Sequence, residues 1–302
     1  MTHSIPAYRP TLFGMVTTRS SSSYTPYALQ TFFAHTPFRE TDSFILIDND
    51  NDFDETLLNL YPAVQLIRNN EPKGFATNMN VAVQRALREK RNLVFLNNDI
   101  IFSSRWFEPL SNEEDAILSP LSNREIRYNT EVFRTKVWMR LEEYVGSEHQ
   151  FEALVEAHRQ ANSGYYRVMA LPFFCVKVPL PIMEQVGLLD ESFGVGGAED
   201  YDYCLRAVLK GFMIRYAVSS YVLHFGGKSS WEGAETRKEQ DERELKFRAM
   251  FGLKWGMPLL RVLLFEDLEP INCNPQLKGA IERGDHRTVV ESLMTCNSSD
   301  AL

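Results

Sequence analysis

The chain has 302 residues, of which 44% are hydrophobic and 24% are charged. This composition is ordinary for a soluble globular protein, and the length suffices for one large or two small domains. The formal net charge is -8 and the pI is about 5.4, which argues against nucleic acid as the first partner because an acidic surface repels phosphates. The sequence contains no apolar run long enough to predict a membrane-spanning helix.

Apolar segments alternate with helical patterns in the first half of the chain. Strands are predicted at Thr11–Thr17, Ser43–Asp48, 63–67, 92–96 and 116–120. Helices are predicted around 27–34 and over 76–90, where apolar residues recur at helical spacing. This alternation indicates an α/β fold of Rossmann-like βαβ units, with a mainly parallel central sheet flanked by helices.

The alternation is interrupted at 129–160, which is rich in charged and aromatic residues and is predicted to be a helical insertion. Beyond it, strands are predicted at 166–178 and 213–225, and helices at 181–187, 200–210 and 236–251. We therefore expect one α/β domain over residues 1–256 and a C-terminal helical extension over 257–302, frayed from residue 297.

The cysteines bear on the compartment. Cys175, Cys204, Cys273 and Cys296 form no CxxC pair and have no zinc-like spacing with a histidine. No signal peptide is predicted, so we expect reduced thiols in a cytoplasmic protein, with peripheral contact to a membrane left open.

Polar residues stand where two predicted strands end. Asp48 ends the second strand, and Asn97, Asn98 and Asp99 follow the fourth in the segment FLNND. Ligands of parallel α/β sheets bind beyond the carboxyl ends of the strands, so these side chains are expected at one rim. An aspartate there suits a hard divalent cation, whereas an Asx-turn at the strand end explains the same residues without a ligand.

Three carboxylates, Glu199, Asp200 and Asp202, stand at the start of the helix that follows the GVGG loop. The helix dipole favours acidic residues at this position, which accounts for them structurally. Alternatively, the glycines allow a ligand to approach the backbone closely, and one carboxylate then becomes a candidate general base.

His224 lies in VLHFGGKSS, between a predicted strand and a glycine-rich loop. A lone histidine is more often structural, but the following backbone N–H groups, lysine and hydroxyls are suited to holding phosphate. Other phosphate and nucleophile motifs are absent from the sequence: it contains no GxxxxGK[ST], no GxGxxG after the first strand and no GxSxG.

The order of these segments resembles the inverting nucleotide-sugar glycosyltransferases of family 2, which have the GT-A fold. The stretch GFATNMNVAV is similar to the family's glycine–aromatic segment leading to a helix asparagine, and FLNND to its metal motif. LLDESFGVGGAEDYDYCLR resembles its acceptor loop and ED motif, VLHFGGKS its closing histidine–glycine–serine segment, and FRAMFGLKWG its lysine–tryptophan–glycine signature. The resemblance runs from Thr11 to about Gly256.

The resemblance implies roles for the matching residues. Asp200 would be the catalytic base, with Glu199 beside it to position the acceptor. Asp99 would bind a divalent metal, Mn²⁺ or Mg²⁺, that bridges the donor diphosphate, and His224 would lie near that metal. Asp48 would contact the nucleoside, Lys228 and Ser229 would hold phosphates, and Arg206 could also pair with a carboxylate of the ED motif. The full set of implied nucleotide-sugar-binding residues is Asp48, Gly74, Asn80, Asn97, Asn98, Arg206, Lys228 and Ser229.

Two positions depart from the family pattern. Asn97 stands where the metal motif usually begins with aspartate, which removes a charge and weakens the expected metal binding. Ala82 replaces a usual glycine on the helix after Gly74, which should matter little. The 129–160 insertion is outside the common pattern and is expected to shape the acceptor site or to make a homo-oligomer contact.

The substrates are less determined. A UDP-sugar is the expected donor, with dTDP-rhamnose as an alternative, and the acceptor is a glycan, a lipid-linked sugar, a protein or a modified nucleic-acid base. One competing function is a sugar-phosphate nucleotidyltransferase, but the loop TTRSSSSYTP lacks the glycine-rich basic character that it would need. The other is a non-catalytic sugar- or nucleotide-binding protein that retains the fold.

Overall fold

A computed structural model describes residues 8–123, 139–228 and 235–295. Within these ranges nine strands form one sheet in the order β3-β2-β1-β4-β8-β6-β9-β5, with β7 paired to β9. The strands are β1 (Thr11–Thr17), β2 (Ser43–Asp48), β3 (Val64–Arg68), β4 (Asn92–Asn97), β5 (Ile100–Phe102), β6 (Ala116–Ser122), β7 (Tyr165–Val168), β8 (Cys175–Val178) and β9 (Met213–His224).

The parallel half of the sheet places several strand ends together. β1 pairs in parallel with β2 and β4, and β2 with β3, whereas β8 runs antiparallel to β4. The register sets Thr17 beside Asp48 and Val16 beside Asn97, so β2, β1 and β4 end at the same edge. This edge is the expected ligand side of an open α/β sheet.

Helices cover both faces of the sheet. They are α1 (Thr25–His35), α2 (Phe75–Glu89), α3 (Glu108–Ser111), α4 (Leu141–Tyr144), α5 (Glu148–Ala161), α6 (Leu180–Val186), α7 (Glu199–Leu209), α8 (Arg237–Trp255), α9 (Met257–Leu264), α10 (Glu269–Asn272), α11 (Pro275–Arg283) and α12 (His286–Thr295). Two apolar clusters result. One packs α1 and α3 against the sheet around Phe32 and Trp106, and the other packs α2, α6 and α7 against the opposite face.

α2 approaches β1 very closely. A Cβ added to Gly14 would lie 3.1 Å from the Cβ of Ala82. Small residues are therefore needed on both sides of this contact, and alanine at position 82 fits it. The contact sets the height of α2 above the ends of β1 and β4.

The predicted α/β architecture is confirmed, with two local corrections. Residues 166–178 were expected to form one strand, but β7 and β8 are separated by a loop that contains Pro172. Proline lacks a backbone N–H and cannot donate to a sheet ladder, so the strand is interrupted there. β5 was not predicted, because a strand of three residues directly after FLNND is too short to show a pattern.

The C-terminal helices join the main core. Leu259, Leu263, Val289 and Leu293 belong to the same apolar cluster as α7. Residues 257–295 therefore pack as a continuation of the α/β body. Of the predicted insertion, α4 and α5 are described, while residues 129–138 lie outside the described ranges.

Candidate active site

A cavity of about 800 Å³ opens at the carboxyl ends of β1, β2 and β4. Its volume falls within the range of about 300–1,000 Å³ typical of small-molecule sites. Of the predicted site residues, those that line it are Asn97, Asp99, Glu199, Asp200, His224 and Lys228. The cavity therefore brings together the FLNND segment, the start of α7 and the loop after β9.

Asp99 and His224 form a buried pair on one wall. β5 and β9 pair so that Ile100 lies opposite His224, which brings the preceding Asp99 beside the imidazole. The distance from Oδ1 of Asp99 to Nε2 of His224 is 3.3 Å. Burial favours a raised pKa for Asp99, but His224 and the backbone N–H of Lys228 outweigh it, so the pKa lies below its ordinary value. Asp99 is therefore a buried carboxylate held in its charged form.

This pair fits a divalent cation as two of its ligands. Apart from the contact with His224, Oδ1 of Asp99 has no hydrogen-bond partner among the described residues, although it is buried. Carboxylate and imidazole are suitable ligand types for Mn²⁺. Within the described ranges no cluster of three or more histidine, cysteine, aspartate and glutamate side chains could hold a metal. The pair would therefore need further ligands from phosphate and water.

Asn97 and Asn98 have different environments. Asn97 lines the cavity, and its backbone N–H donates to the carbonyl of Phe174 at 2.7 Å. Asn98 is fully buried outside the cavity lining, and its Nδ2 donates to the hydroxyls of Ser21 at 2.8 Å and Thr25 at 2.9 Å. Asn98 thus fastens the loop after β1 to the end of β4 and does not reach the cavity.

Glu199 and Asp200 begin α7, and both line the cavity. Ala198 has a φ of 67°, and this left-handed residue turns the glycine loop into the helix. Oδ2 of Asp200 accepts the backbone N–H of Phe173 at 3.2 Å, and Oδ1 accepts that of Tyr201 at 2.8 Å. Asp200 is partly exposed to the cavity, and these two donors orient its carboxylate there.

Glu199 is the more deeply buried of the two acids. Its Oε2 accepts the backbone N–H of Gly197 at 2.5 Å. Burial and the neighbouring Asp200 carboxylate raise the pKa of Glu199 to about 8. At neutral pH the protonated form of Glu199 is therefore favoured, so Glu199 is not the carboxylate that accepts a proton there.

Glu199→Gln is expected to stabilise the protein increasingly as the pH rises. The pKa of Glu199 rises from 4.5 to about 8 on folding, so between these values the folded chain binds more protons than the unfolded chain. The stability contributed by Glu199 is therefore lost as the pH rises through this window. Glutamine does not titrate and escapes that loss. Urea denaturation at about pH 5 and about pH 8 measures the effect.

Glu242→Gln, on the exposed side of α8, is the matched control and should show no such trend. A free-energy difference between Glu199→Gln and wild type that stays constant with pH would contradict the raised pKa.

Asp202 ties the first turn of α7 to its surroundings. The carboxylate is fully buried. It accepts hydrogen bonds from Nε of Arg206 and Nε1 of Trp255, both at 2.9 Å, and forms an ion pair with Nζ of Lys254 at 2.7 Å. Arg206 also donates to the carbonyls of residues 186 and 188. Arg206 therefore pairs with Asp202, which follows the ED motif of Glu199 and Asp200. It lies outside the cavity lining and anchors the helix that carries Asp200.

Gly74 and Asn80 hold the glycine loop in place from α2. A Cβ on Gly74 would lie 2.2 Å from the carbonyl oxygen of Gly194, so no side chain fits there. Asn80 donates to the carbonyl of Leu189 at 3.1 Å and accepts its N–H at 2.8 Å. Neither residue lines the cavity; both position the loop that leads to Glu199.

Asp48 is also held away from the cavity. Its Oδ2 accepts Nη1 of Arg68 at 2.7 Å and the backbone N–H of Phe53 at 3.0 Å. The carboxylate is buried, and the adjacent residue, Asn49, lines the cavity instead. Ser229, another predicted phosphate contact, lies outside the described residues.

Several cavity residues were not anticipated from the sequence. Thr18, Asn49, Lys73 and Asn78 line the end of the cavity nearest β1 and β2. Aromatic residues also line the cavity: Phe173 and Tyr201 contact Asp200 through their backbone N–H groups, Phe247 is a further lining residue, and Phe174 stacks on His224. Asn49 directly follows a predicted strand, which is a position expected for a ligand contact. The surrounding acidic, turn-rich sequence instead predicted a simple turn.

The described part of the insertion, residues 139–160, lies outside the cavity lining. Among residues 8–123, 139–228 and 235–295, none of the helices has the length and apolar character that a membrane crossing requires.

Comparison with known proteins identifies the fold. No family model and no curated protein matches the sequence. Among solved structures, GalNAc-T7 with UDP, GalNAc and Mn²⁺ is similar at 15% identity and a TM-score of 0.55, over 83% of this chain and 52% of that one. The mannosyltransferase PcManGT from Pyrobaculum calidifontis, in complex with GDP-Man and Mn²⁺, is similar at 14% identity and a TM-score of 0.54, over 97% of this chain and 81% of that one.

This chain spans about half the length of the GalNAc-T7 chain. Likeness at these identities establishes the fold, and the predicted GT-A glycosyltransferase fold is confirmed.

Proposed function

We propose that this chain, which has the GT-A fold, is an inverting glycosyltransferase. It would move a sugar from a nucleoside-diphosphate donor, preferably a UDP-sugar, to an acceptor hydroxyl. The observation that carries the proposal is one cavity lined by both the buried Asp99–His224 pair and the oriented Asp200 carboxylate. Both solved structures described above were determined with a nucleotide or nucleotide sugar and Mn²⁺, which supports this donor class.

The donor would lie along the rim formed by β2, β1 and β4. Neighbouring strands are about 4.8 Å apart, so the ends of β2 and β4 are separated by about two such spacings. Asp99, His224 and Lys228 lie at the β4 end and would hold the diphosphate. The nucleoside would then extend toward Thr18 and Asn49.

Asp99 and His224 would hold the divalent metal. When bound, such a cation compensates the negative charge that develops on a departing diphosphate. Lys228 lines the same part of the cavity, and its cationic side chain adds charge of the same sign. Asn97, in place of a carboxylate, offers a neutral amide to the phosphates.

Asp200 would act as the general base. The backbone N–H groups of Phe173 and Tyr201 hold its carboxylate toward the cavity. It would take the proton of the acceptor hydroxyl as that oxygen attacks the anomeric carbon from the side opposite the diphosphate, which inverts the configuration. Glu199, largely protonated beside it, could donate a hydrogen bond to the acceptor.

The acceptor would enter past the aromatic wall. Phe173, Tyr201, Phe247 and Leu264 give this side of the cavity an apolar surface near Asp200. Such a surface fits the C–H face of a sugar ring, which supports a glycan or a lipid-linked sugar before a protein or a modified nucleic-acid base.

Incubating the protein with UDP-sugars is expected to raise its melting temperature in the presence of Mn²⁺ and to release UDP when a suitable acceptor is added. The same mixture with EDTA is the control. Failure of every nucleotide sugar to bind would overturn the proposal. Binding without turnover on any acceptor would favour a non-catalytic nucleotide-sugar-binding protein, to which Asn97 in the metal motif also points.

A further inference from the structure

Three asparagines form a closed network at the β2 end of the cavity. Asn49 follows β2, Asn69 follows β3 and Asn78 lies in the first turns of α2. Nδ2 of Asn69 donates to Oδ1 of Asn49 at 2.9 Å and to Oδ1 of Asn78 at 2.8 Å, and Nδ2 of Asn78 donates to Oδ1 of Asn49 at 2.9 Å. The network holds the Asn49 side chain in one orientation.

Backbone groups decide which atom of each amide is oxygen. The backbone N–H of Lys73 donates to one side-chain atom of Asn49 at 2.9 Å, so that atom must be the carbonyl oxygen. The carbonyl of Lys73 accepts from Asn78 at 3.2 Å, so that atom of Asn78 must be the amide nitrogen. The backbone partners therefore fix which side-chain atom is oxygen and which is nitrogen in Asn49 and Asn78.

Oδ1 of Asn49 accepts three hydrogen bonds and has no capacity left for a ligand. Its Nδ2 donates to no described residue, although the side chain lines the cavity and the residue is only 8% exposed. Asn49 therefore presents a hydrogen-bond donor, and no acceptor, to whatever occupies this end of the cavity.

We propose that Asn49 selects a donor nucleotide whose base carries an oxo group at C4 of a pyrimidine or C6 of a purine, namely uracil, thymine or guanine. The inference rests on the proposed donor site, because Asn49 lies two strands from the diphosphate end, with β1 and Thr18 between them for the ribose. An oxo group accepts a hydrogen bond from Nδ2. Cytosine and adenine carry an amino group in the corresponding position, and two donors would then face each other.

Wild-type protein is expected to bind UDP more tightly than CDP, or GDP more tightly than ADP, by about tenfold or more in calorimetric titrations with Mn²⁺. UDP and CDP differ at C4 and in the hydrogen on N3, whereas GDP and ADP differ at C6, in the hydrogen on N1 and also in the 2-amino group of guanine. Asn49→Asp should keep one oxygen in the network and turn the other toward the cavity. It is therefore expected to remove or reverse the preference, because a carboxylate accepts from an amino group.

Asp50→Asn is the matched control, since Asp50 neighbours Asn49 but bonds the backbone N–H of Arg19 and does not line the cavity. It should keep the wild-type preference. Equal wild-type affinities within both pairs, or an unchanged preference in folded Asn49→Asp, would overturn this inference while leaving the donor site in place. If wild type binds neither these four nucleotides nor dTDP, the proposed function fails as well.

Discussion

Asp200→Asn is expected to lower the rate of sugar transfer by about 10²–10⁴-fold and to leave donor binding intact. The substitution preserves the size of the side chain and removes the carboxylate that would accept the proton. Asp200 belongs to α7, whereas the Asp99–His224 pair belongs to the FLNND segment and the end of β9, so the groups proposed to hold the diphosphate are unchanged. The loss should therefore fall on the chemical step.

Single-turnover transfer and a separate UDP titration distinguish the two effects. Asp190→Asn is a suitable control, because Asp190 caps the turn before the glycine loop without lining the cavity. It should retain wild-type transfer apart from any effect of its lost contact with Lys254. Transfer by folded Asp200→Asn at the wild-type rate would remove Asp200 from the mechanism.

Residues at the start or end of an element were the most predictable part of the site. Asp99 follows a buried strand, Asp200 lies at the start of a helix after a glycine loop, and His224 ends a strand. The structure brings all three to one cavity. Strand ends and helix starts converge at one edge of a parallel sheet whatever the detailed packing. The strand-end argument placed Asp99 at this rim, whereas Asp200 and His224 were assigned to the same site by the family resemblance.

The direction of a side chain was much less predictable. Asn97 and Asn98 are adjacent, yet one lines the cavity and the other is buried under the loop after β1. Successive residues point to opposite sides of an extended chain, and the side is set by register and packing. Asp48 illustrates the same limit, since the β2–β3 register sets Arg68 beside it and supplies an internal partner.

The asparagine network was invisible for a different reason. Asn49, Asn69 and Asn78 come from three separate elements, and each looks like an ordinary turn or helix-start residue in the sequence. Only the paired ends of β2 and β3 and the position of α2 bring them into hydrogen-bond contact. A site built from such long-range contacts requires the tertiary structure.

Asp99→Asn is expected to weaken Mn²⁺-dependent donor binding by about 100-fold or more. Substituting a residue that only supports a metal ligand typically lowers metal affinity or activity by about 10–100-fold. Asp99 is the proposed carboxylate ligand itself, so a larger loss is expected. Its buried oxygen contacts His224, and asparagine removes the negative charge from this pair. UDP titrations with Mn²⁺ and with EDTA measure the metal-dependent part of the affinity.

Asn97→Asp is the opposite substitution on the same segment. It adds a carboxylate to the cavity lining and is expected to strengthen the Mn²⁺ dependence that Asp99→Asn weakens. Asn98→Ala, which loses only the buried contacts to the loop after β1, separates damage to the fold from damage to the site. If folded Asp99→Asn binds UDP with the wild-type response to Mn²⁺, the charge of Asp99 does not hold the metal, and the phosphates must be held by Lys228 and the backbone of its loop.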